Sequence, residues 1–322
     1  MKAIVHRGFG APSEVLELQD VERPAPSDGE ALVEVRAVAV AKGDWLIAQG
    51  WPYIARPSYG IRSPRNRIAG LEAAGVVTVV GPGVAGIEVG DEVVGWATGA
   101  LAEFVAVPVE QLAAKPANAS FEQAAAVPVS GFAALQAVRD AAGVSEGSRV
   151  LVIGASGGVG SFAVQIAKAF GAEVTGVAGT RNVEFVKRLG ADHVIDYTQE
   201  EITDGERRFD VIIDIAGNRS LGTLRRALEP KGTLVIVGGS GGKVTMGFGR
   251  TIRSIFVSPF VSQKLKQIIS KPNRDDLVVL TGMIESGDII PQVGVTYPLE
   301  QSAEAIDLVG SGRSRGKTVI TV

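Results

Sequence analysis

The stretch that decides the fold runs from Val150 to Lys168 and reads VLVIGASGGVGSFAVQIAK. Its first four residues are apolar, as in a parallel strand that is buried on both faces. Gly154, Gly157 and Gly160 follow at every third position, which allows a tight turn and a close approach of the backbone to a ligand. Apolar residues then recur at helical spacing up to Phe170. The stretch therefore predicts a strand, a glycine turn and a helix, and the unpaired N–H groups at the start of that helix suit a pyrophosphate.

The same turn fits a second motif. Residues 154–158 read GASGG, which matches the G-x-S-x-G turn of the α/β-hydrolases and would make Ser156 a nucleophile. Such a serine needs a histidine as general base, and the chain has only His6 and His193. Because His193 precedes a predicted inner strand, we favour the pyrophosphate site and keep the hydrolase as an alternative. No Gly-Lys-Ser/Thr ends the turn, which excludes a P-loop.

Composition limits the possible partners. The chain has 322 residues, enough for two domains, with 46% hydrophobic residues and a net charge of −3. This charge provides no basic field for nucleic acid or an anionic membrane, so we expect small molecules and copies of the chain as partners. There is no cysteine and there are two histidines, so we expect no disulfide and no metal site. The strand-like start and the lack of an apolar run of ~20 residues predict a cytoplasmic protein.

The sequence contains two kinds of region, which differ in their predicted secondary structure. Short β-rich runs separated by Gly and Pro predict an irregular antiparallel barrel, and they lie at 31–40, 75–80, 92–96 and 102–107. Alanine-rich helical patterns at 121–127 and 131–142 then lead into an alternating region. Its predicted strands lie at 150–153, 173–177, 193–196, 211–215 and 233–237, and its predicted helices at 159–170, 182–189 and 220–228. This alternation predicts a doubly wound parallel sheet. Because 292–322 is strand-rich again, we assign 1–123 and 292–322 to one discontinuous domain and 124–291 to the nucleotide-binding domain.

The second predicted strand of this sheet ends in GVAGTRN at residues 176–182. At this point a domain that binds NAD carries an acidic residue for the ribose hydroxyls, and here there is none. An arginine can hold the 2′-phosphate of NADPH through its fork of N–H donors, whereas a carboxylate would repel it. Arg181, helped by Thr180 and Asn182, therefore favours NADPH over NADH. The alternative is a solvated arginine at the start of a helix.

Several motifs in a fixed order resemble one family. They are GPGV at 81–84, GDEVVG at 90–95, VPVSG at 127–131, the glycine turn, LGADHVIDY at 189–197 and GK at 316–317. Together they resemble the zinc-free, zeta-crystallin-like quinone oxidoreductases and enone reductases of the medium-chain dehydrogenase/reductase superfamily, and the similarity runs nearly end to end. The resemblance implies an α/β fold in which a Rossmann doubly wound parallel sheet is joined to a discontinuous GroES-like β-barrel catalytic domain.

The resemblance also bears on metal and on chemistry. Zinc enzymes of that superfamily carry a cysteine where this chain has Ala41 and a histidine where it has Leu71, and their four-cysteine lobe is missing here. The resemblance therefore implies no catalytic zinc. Without a Lewis acid, we expect hydride transfer to an acceptor that is already electrophilic, which means a quinone or the C=C bond of an α,β-unsaturated carbonyl.

Cofactor contacts follow from the same resemblance. It places the nicotinamide beside Val127, Ser130 and the backbone of Val237, Gly238 and Gly239, and the diphosphate at Ser156, Gly157, Gly158 and Val159. It places the adenosine phosphate near Thr180, Arg181 and Tyr197, with Asn182 next to Arg181 in the sequence, and Ala216, Gly217 and Asn218 would line the cofactor cleft.

The acceptor side is predicted from two loops. Asp44 and Trp45 share one loop; we expect Asp44 to anchor it through backbone N–H groups, with a catalytic role as the alternative, and Trp45 to line the pocket. The aromatic-rich loop 49–60 is predicted to be a lid or to pack on the barrel, and Tyr53 within it is a candidate proton donor or carbonyl ligand, with water as the alternative. The glycine-rich segment 238–249 is predicted to be mobile. The apolar run 250–260 is expected to line the acceptor pocket or to form a subunit contact in a homodimer.

The expected function is that of an NADPH:quinone oxidoreductase or enone reductase that uses no metal. Three alternatives stay open: a zinc-free reductase of a specialised biosynthetic intermediate, a serine hydrolase, and a non-catalytic NADPH-binding or structural protein.

Overall fold

The computed structural model describes residues 1–204, 207–239 and 261–322. They form two compact units, Met1–Phe132 with Pro272–Val322, and Ala133–Lys271. The sequence-based boundaries lie instead at 123/124 and 291/292. At the second boundary the difference arises because a helix that follows Asn273 packs on the first unit, where its Ile284 oxygen accepts a hydrogen bond from Asn118 Nδ2 at 2.9 Å. The predicted run 250–260, and 238–249 beyond Gly239, lie outside the described residues.

The first unit begins with an antiparallel pair and continues into short strands. The elements are β1 (Lys2–His6), α1 (Pro12–Val15), β2 (Leu16–Asp20), β3 (Glu30–Val40), α2 (Lys42–Gln49), a 3-10 turn at Tyr53–Ala55, α3 (Arg56–Tyr59), β4 (Glu72–Val80), β5 (Glu92–Trp96), β6 (Phe104–Pro108), β7 (Leu112–Ala114), α4 (Phe121–Ala125) and α5 (Pro128–Leu135). A π-helical segment, Gln136–Ala142, follows α5.

The second unit alternates strands and helices as the sequence predicts. Its elements are β8 (Arg149–Ile153), α6 (Gly158–Ala169), β9 (Glu173–Ala178), α7 (Val183–Arg188), β10 (His193–Asp196), β11 (Phe209–Asp214), α8 (Leu221–Ala227), β12 (Leu228–Ile236) and β13 (Lys264–Gln267). The strand order is β10-β9-β8-β11-β12-β13, and every pairing is parallel. This is the doubly wound Rossmann order, which reverses between β8 and β11. The edge strand β13 was not predicted, because its sequence KLKQ lacks an apolar run.

The chain then returns to the first unit through α9 (Arg274–Glu285), β14 (Val293–Pro298), α10 (Ser302–Gly310) and β15 (Lys317–Thr321). The sheet order is β14-β15-β3-β4-β5-β7, with β6 on β3. All pairs but one are antiparallel, and the exception is β14 with β15, which is parallel. The runs predicted between 31 and 107 pair antiparallel, as expected. The parallel pairing of β14 with β15 was not predicted; α10 carries the chain back between these two strands, as a parallel crossover requires.

Candidate functional site

The glycines of the 154–160 turn have distinct roles. Gly154 has φ +88°, a left-handed conformation that side chains disfavour. A Cβ atom at Gly160 would collide with the Gly154 carbonyl oxygen, so only glycine lets α6 start this close to β8. A Cβ atom at Gly157 would meet nothing nearer than the Gly154 oxygen at 3.6 Å. The Cα atom of Gly160 is thus packed against the protein backbone, whereas the space beside the Cα atom of Gly157 is free.

The N-terminus of α6 is not capped by a side chain. Gly157 is the N-cap residue, and the first helical bond runs from Ser161 N–H to the Gly157 oxygen at 2.9 Å. The N–H groups of Gly158, Val159 and Gly160 precede that bond and so have no acceptor within the helix. Three such donors beside an open glycine, at the positive end of the helix dipole, fit a diphosphate.

Two further predicted segments lie at the same edge of the sheet. Ala216 N–H donates to the Ile153 oxygen at 3.3 Å, and Gly217 N–H donates to Asp214 Oδ1 at 3.0 Å. Val237 N–H donates to the Asp214 oxygen at 3.0 Å. These bonds place residues 216–217 and 237–239 beside the glycine turn, at the reversal of strand order where ligands of such sheets bind.

The end of β9 carries the predicted phosphate residues. Asn182 Nδ2 donates to Ser156 Oγ at 3.3 Å, which links this region to the glycine turn. Tyr197 follows β10 and lays its hydroxyl group over Gly179, where a Cβ atom would lie 3.1 Å from that oxygen. Arg181 is exposed and forms no hydrogen bond or ion pair with the described residues. Its guanidinium is therefore available to an anion.

An acid that the sequence reasoning missed stands in this group. Thr180 Oγ1 donates to Asp196 Oδ2 at 2.6 Å, and Thr198 Oγ1 donates to Asp196 Oδ1 at 2.8 Å. These hydrogen bonds, that from Thr180 first, hold the pKa of Asp196 below its usual value. The Thr180 proton is thus engaged by a carboxylate and is not directed at a phosphate. The position of Asp196 next to Tyr197 at the end of a strand was the signal that could have indicated it.

The hydrolase alternative loses its base in this unit. Ser156 follows the carboxyl end of β8, whereas His193 begins β10 and lies with its Nε2 atom 3.1 Å from Glu173 Oε1, at the amino ends of the strands. Parallel strands put these two ends on opposite edges of the sheet. His193 therefore cannot activate Ser156.

In the first unit, Ser130 is held by a buried ion pair. Lys317 Nζ donates to Glu72 Oε1 at 2.7 Å and to Ser130 Oγ at 3.1 Å, and Glu72 Oε2 accepts the Val129 N–H at 2.7 Å. Burial raises the pKa of Glu72, and the Lys317 ammonium opposes that shift. The sequence reasoning missed this pair, although a single charge within each apolar strand was a usable signal.

Asp44 lies in the first turn of α2 and anchors its loop. Asp44 Oδ2 accepts the Ala41 N–H at 2.8 Å, which is the backbone contact that the sequence analysis expected. Burial raises the pKa of Asp44 to about 7; the Ala41 N–H opposes the shift and the nearby Glu72 charge adds to it. The carboxyl group is therefore easily protonated near neutral pH.

A cavity of about 370 Å³ lies against Asp44 within the first unit. Its apolar walls include Ile47, Ile68 and Leu71, and its polar lining includes His6 and Tyr59. This volume and mixed lining are typical of a small-molecule site.

The two predicted aromatic site residues lie elsewhere. Tyr53 is 43% exposed and stacks under the Arg56 guanidinium at 4.5 Å, and Tyr59 rather than Tyr53 lines the cavity. Trp45 packs its ring on Gly310 and lies beside Asp307. The structure thus brings Asp44 to the cavity, but it places Trp45 and Tyr53 outside the cavity lining.

Neither a metal-ligand cluster nor a membrane-spanning helix occurs in the described part of the chain. No group of three or more His, Cys, Asp or Glu side chains there is arranged to hold a metal ion. None of the helices in those ranges has both the length and the apolar character for crossing a membrane.

Two family models match the chain. The alcohol dehydrogenase GroES-like domain matches residues 27–117, and a zinc-binding dehydrogenase domain matches residues 189–320. Among curated proteins, the chain is 32% identical to a quinone oxidoreductase of Sus scrofa, over 99% of this chain and 97% of the relative. It is 31% identical to a 2-methylene-furan-3-one reductase of Solanum lycopersicum, over 99% of this chain and 79% of the relative.

Several solved structures superpose on the protein over its whole length. The quinone oxidoreductase of Coxiella burnetii superposes with a TM-score of 0.86 at 28% identity, covering 100% of this chain and 99% of that one. The Escherichia coli quinone oxidoreductase complexed with NADPH gives 0.85 at 28%, and an NAD-dependent alcohol dehydrogenase gives 0.85 at 31%, each covering 100% of both chains. The Rossmann strand order, the GroES-like unit and these matches all point to one family. The chain belongs to the zinc-free quinone oxidoreductase branch of the medium-chain dehydrogenase/reductase superfamily.

Proposed function

We propose that this oxidoreductase uses NADPH to reduce a quinone, or the C=C bond of an α,β-unsaturated carbonyl, without a metal. The observation that carries the proposal is the uncapped start of α6 beside an open Gly157, with the exposed Arg181 at the end of the next strand. The first feature suits a diphosphate and the second suits a 2′-phosphate.

The chain's own residues bind and orient the cofactor. Gly157, Gly158 and Val159 would hold the diphosphate through N–H groups, and Arg181 with Tyr197 would hold the adenosine phosphate. In the second unit the backbone of 237–239 would contact the nicotinamide, which supplies the hydride when bound. Because Lys317 donates to Ser130 Oγ, the hydroxyl proton of Ser130 is left to point away from the ammonium and toward a ligand.

The acceptor takes up one hydride and one proton. A quinone receives both to become a hydroquinone, and an enone receives the hydride at its β-carbon and the proton at its α-carbon. The protein holds the acceptor against the cofactor and excludes competing reactions. Such positioning by itself can accelerate hydride transfer. Water supplies the proton in this proposal, because Tyr53 lies outside the cavity lining.

The named relatives support both acceptor classes. One is a quinone oxidoreductase and another is a 2-methylene-furan-3-one reductase, and the Escherichia coli structure contains NADPH. A specialised biosynthetic acceptor stays the alternative substrate. NADH is the second candidate cofactor, because the ionised Asp196 lies among the phosphate residues and one neighbour is an NAD-dependent alcohol dehydrogenase.

The direct test follows the absorbance of NADPH and of NADH with a panel of quinones and enones. Arg181→Ala should raise the dissociation constant for NADPH by about tenfold or more and that for NADH little, since one charge-assisted hydrogen bond is removed. Arg188→Ala, an exposed arginine at the other end of α7, is the matched control. Equal effects on both cofactors would refute the 2′-phosphate role, and tight NADPH binding without turnover would indicate a non-catalytic protein.

We also propose a homodimer in the cytoplasm. The edge strand β13 pairs only with β12 among the described residues and so offers a free edge for a second copy. Light scattering of the purified protein should then give twice the chain mass of 33.4 kDa.

A further inference from the structure

One histidine in the cavity has no hydrogen-bond partner. His6 ends β1, is 8% exposed and lines the cavity of about 370 Å³ described above. Its Nδ1 atom is shielded from solvent and has no partner among the described residues, a property shared there only with Thr318 Oγ1. Buried polar atoms are nearly always paired, so such an exception calls for an explanation.

The burial of Nδ1 indicates which ring nitrogen holds the proton. A buried N–H group without an acceptor is rarer in proteins than a buried lone pair without a donor. Burial also lowers the pKa of His6 to about 4, so the ring is neutral at physiological pH. The neutral ring therefore keeps its one proton on Nε2, the nitrogen that is not shielded, and offers an N–H donor.

Most of the other polar groups of the cavity are engaged or solvated. Asp44 Oδ2 accepts the Ala41 N–H at 2.8 Å, and Ser58 Oγ donates to the Ala55 oxygen at 2.6 Å. Tyr59 donates its hydroxyl proton to the Pro52 oxygen at 3.2 Å, and Arg65 Nη2 donates to the Pro57 oxygen at 2.9 Å. Asn66 and Thr98 are exposed. His6 Nε2–H is thus a donor of the lining that lacks an acceptor among the described residues, and unlike Nδ1 it is not shielded from solvent.

We propose that His6 binds the acceptor by donating its Nε2–H to a carbonyl oxygen. A carbonyl oxygen matches this donor because it accepts without bringing a second proton that would need a partner. The apolar side chains of Ile47, Ile68 and Leu71 in the same lining suit the flat, apolar body of a quinone or a cyclic enone. This inference rests on the proposed function, since it names the first-unit cavity as the acceptor site.

The experiment measures binding of menadione, a naphthoquinone, to the full-length protein by titration calorimetry without cofactor. His6→Phe keeps a flat ring and removes the donor, and it should weaken menadione binding about tenfold. His6→Gln places an N–H group near the Nε2 position and should restore binding to within about threefold. His193→Gln, on the exposed histidine of the other unit, should bind menadione normally, and all variants should bind NADPH normally.

Steady-state kinetics distinguish this inference from the proposed function. His6→Phe should raise the KM for menadione and leave the dissociation constant for NADPH unchanged. If wild-type protein oxidises NADPH with none of the acceptors yet binds menadione in a manner that depends on His6, the proposed function fails and the His6 site stands. Equal menadione binding by wild type and His6→Phe, or none by wild type, overturns the inference.

A folding control completes the test. Thermal unfolding should show His6→Phe to be no less stable than wild type, because the variant removes a buried polar atom without a partner. If that variant does not fold, histidine-labelled NMR of the wild type decides, with His193→Gln assigning the two rings. Menadione should then shift the Nε2–H resonance of His6, and an unmoved resonance overturns the inference.

Discussion

Lys317→Met tests whether the buried ion pair of the first unit holds its core together. Lys317 and Glu72 have side chains that are 2% and 0% exposed, and their atoms are 2.7 Å apart. Removing the ammonium group leaves the carboxylate buried without a cation, which costs about 3–5 kcal/mol of unfolding free energy. The midpoint of thermal unfolding should therefore fall by roughly 6–20 °C.

The pH dependence of this loss has a defined sign. Burial already raises the folded-state pKa of Glu72, and removing the opposing lysine raises it further. A raised folded-state pKa favours the folded protein only where the group is protonated. The difference in unfolding free energy between wild type and Lys317→Met should thus be small below the unfolded-state pKa, about 4.3, and should grow as the pH rises above it.

Urea unfolding followed by tryptophan fluorescence, at several pH values, measures this difference. The double variant Glu72→Gln/Lys317→Met should recover most of the lost free energy, because it leaves no buried charge. A loss below about 1 kcal/mol for Lys317→Met, or a double variant no more stable than the single one, would refute the reasoning.

Three further predictions concern individual residues. Gly160→Ala should destabilise the second unit by about 1–3 kcal/mol in urea unfolding, because the added methyl group meets the Gly154 carbonyl. Gly157→Ala should fold normally and lose only NADPH affinity, because its Cβ position is open. A greater loss of stability in Gly157→Ala than in Gly160→Ala would contradict the roles assigned to these glycines. Asp44 has a folded-state pKa raised to about 7, so wild type should lose up to about 4 kcal/mol relative to Asp44→Asn as the pH rises from about 4 to 8; a constant difference would show that Asp44 titrates normally. Tyr53→Phe should change the rate of enone reduction by less than about twofold, whereas a loss of about a hundredfold would restore Tyr53 as the general acid.

The local pattern of the sequence predicted the second unit well. The strand, glycine turn and helix from Val150 to Phe170 appear as β8 and α6 within one residue at each end, because each rests on a short-range rule about burial period and backbone freedom. The segments after β11 and β12 also reach the same edge as the turn, since parallel strands bring their carboxyl ends together. The sequence could therefore indicate which segments of the second unit meet at this edge, and their contacts with a cofactor stay a prediction.

The first unit was less predictable. The parallel pairing of β14 with β15 depends on the path of α10, and the aromatic residues at 45 and 53 fit a pocket by composition but pack elsewhere. An aromatic side chain packs against whichever apolar or cationic surface the tertiary structure places next to it. Sequence pattern alone therefore could not separate a pocket wall from a surface contact.

By itself the sequence determined the fold class, the glycine turn between β8 and α6, and the place of Arg181, because these follow from residues adjacent in the chain. Only the tertiary structure decided that Lys317 meets Glu72, 245 residues away, that Thr180 binds Asp196, and that His6 lines a cavity with an unpartnered nitrogen. The physical reason is that the role of a buried polar group depends on whether it has a hydrogen-bond partner. That partner comes from a distant part of the chain, and its position depends on strand register and on the packing of the whole unit.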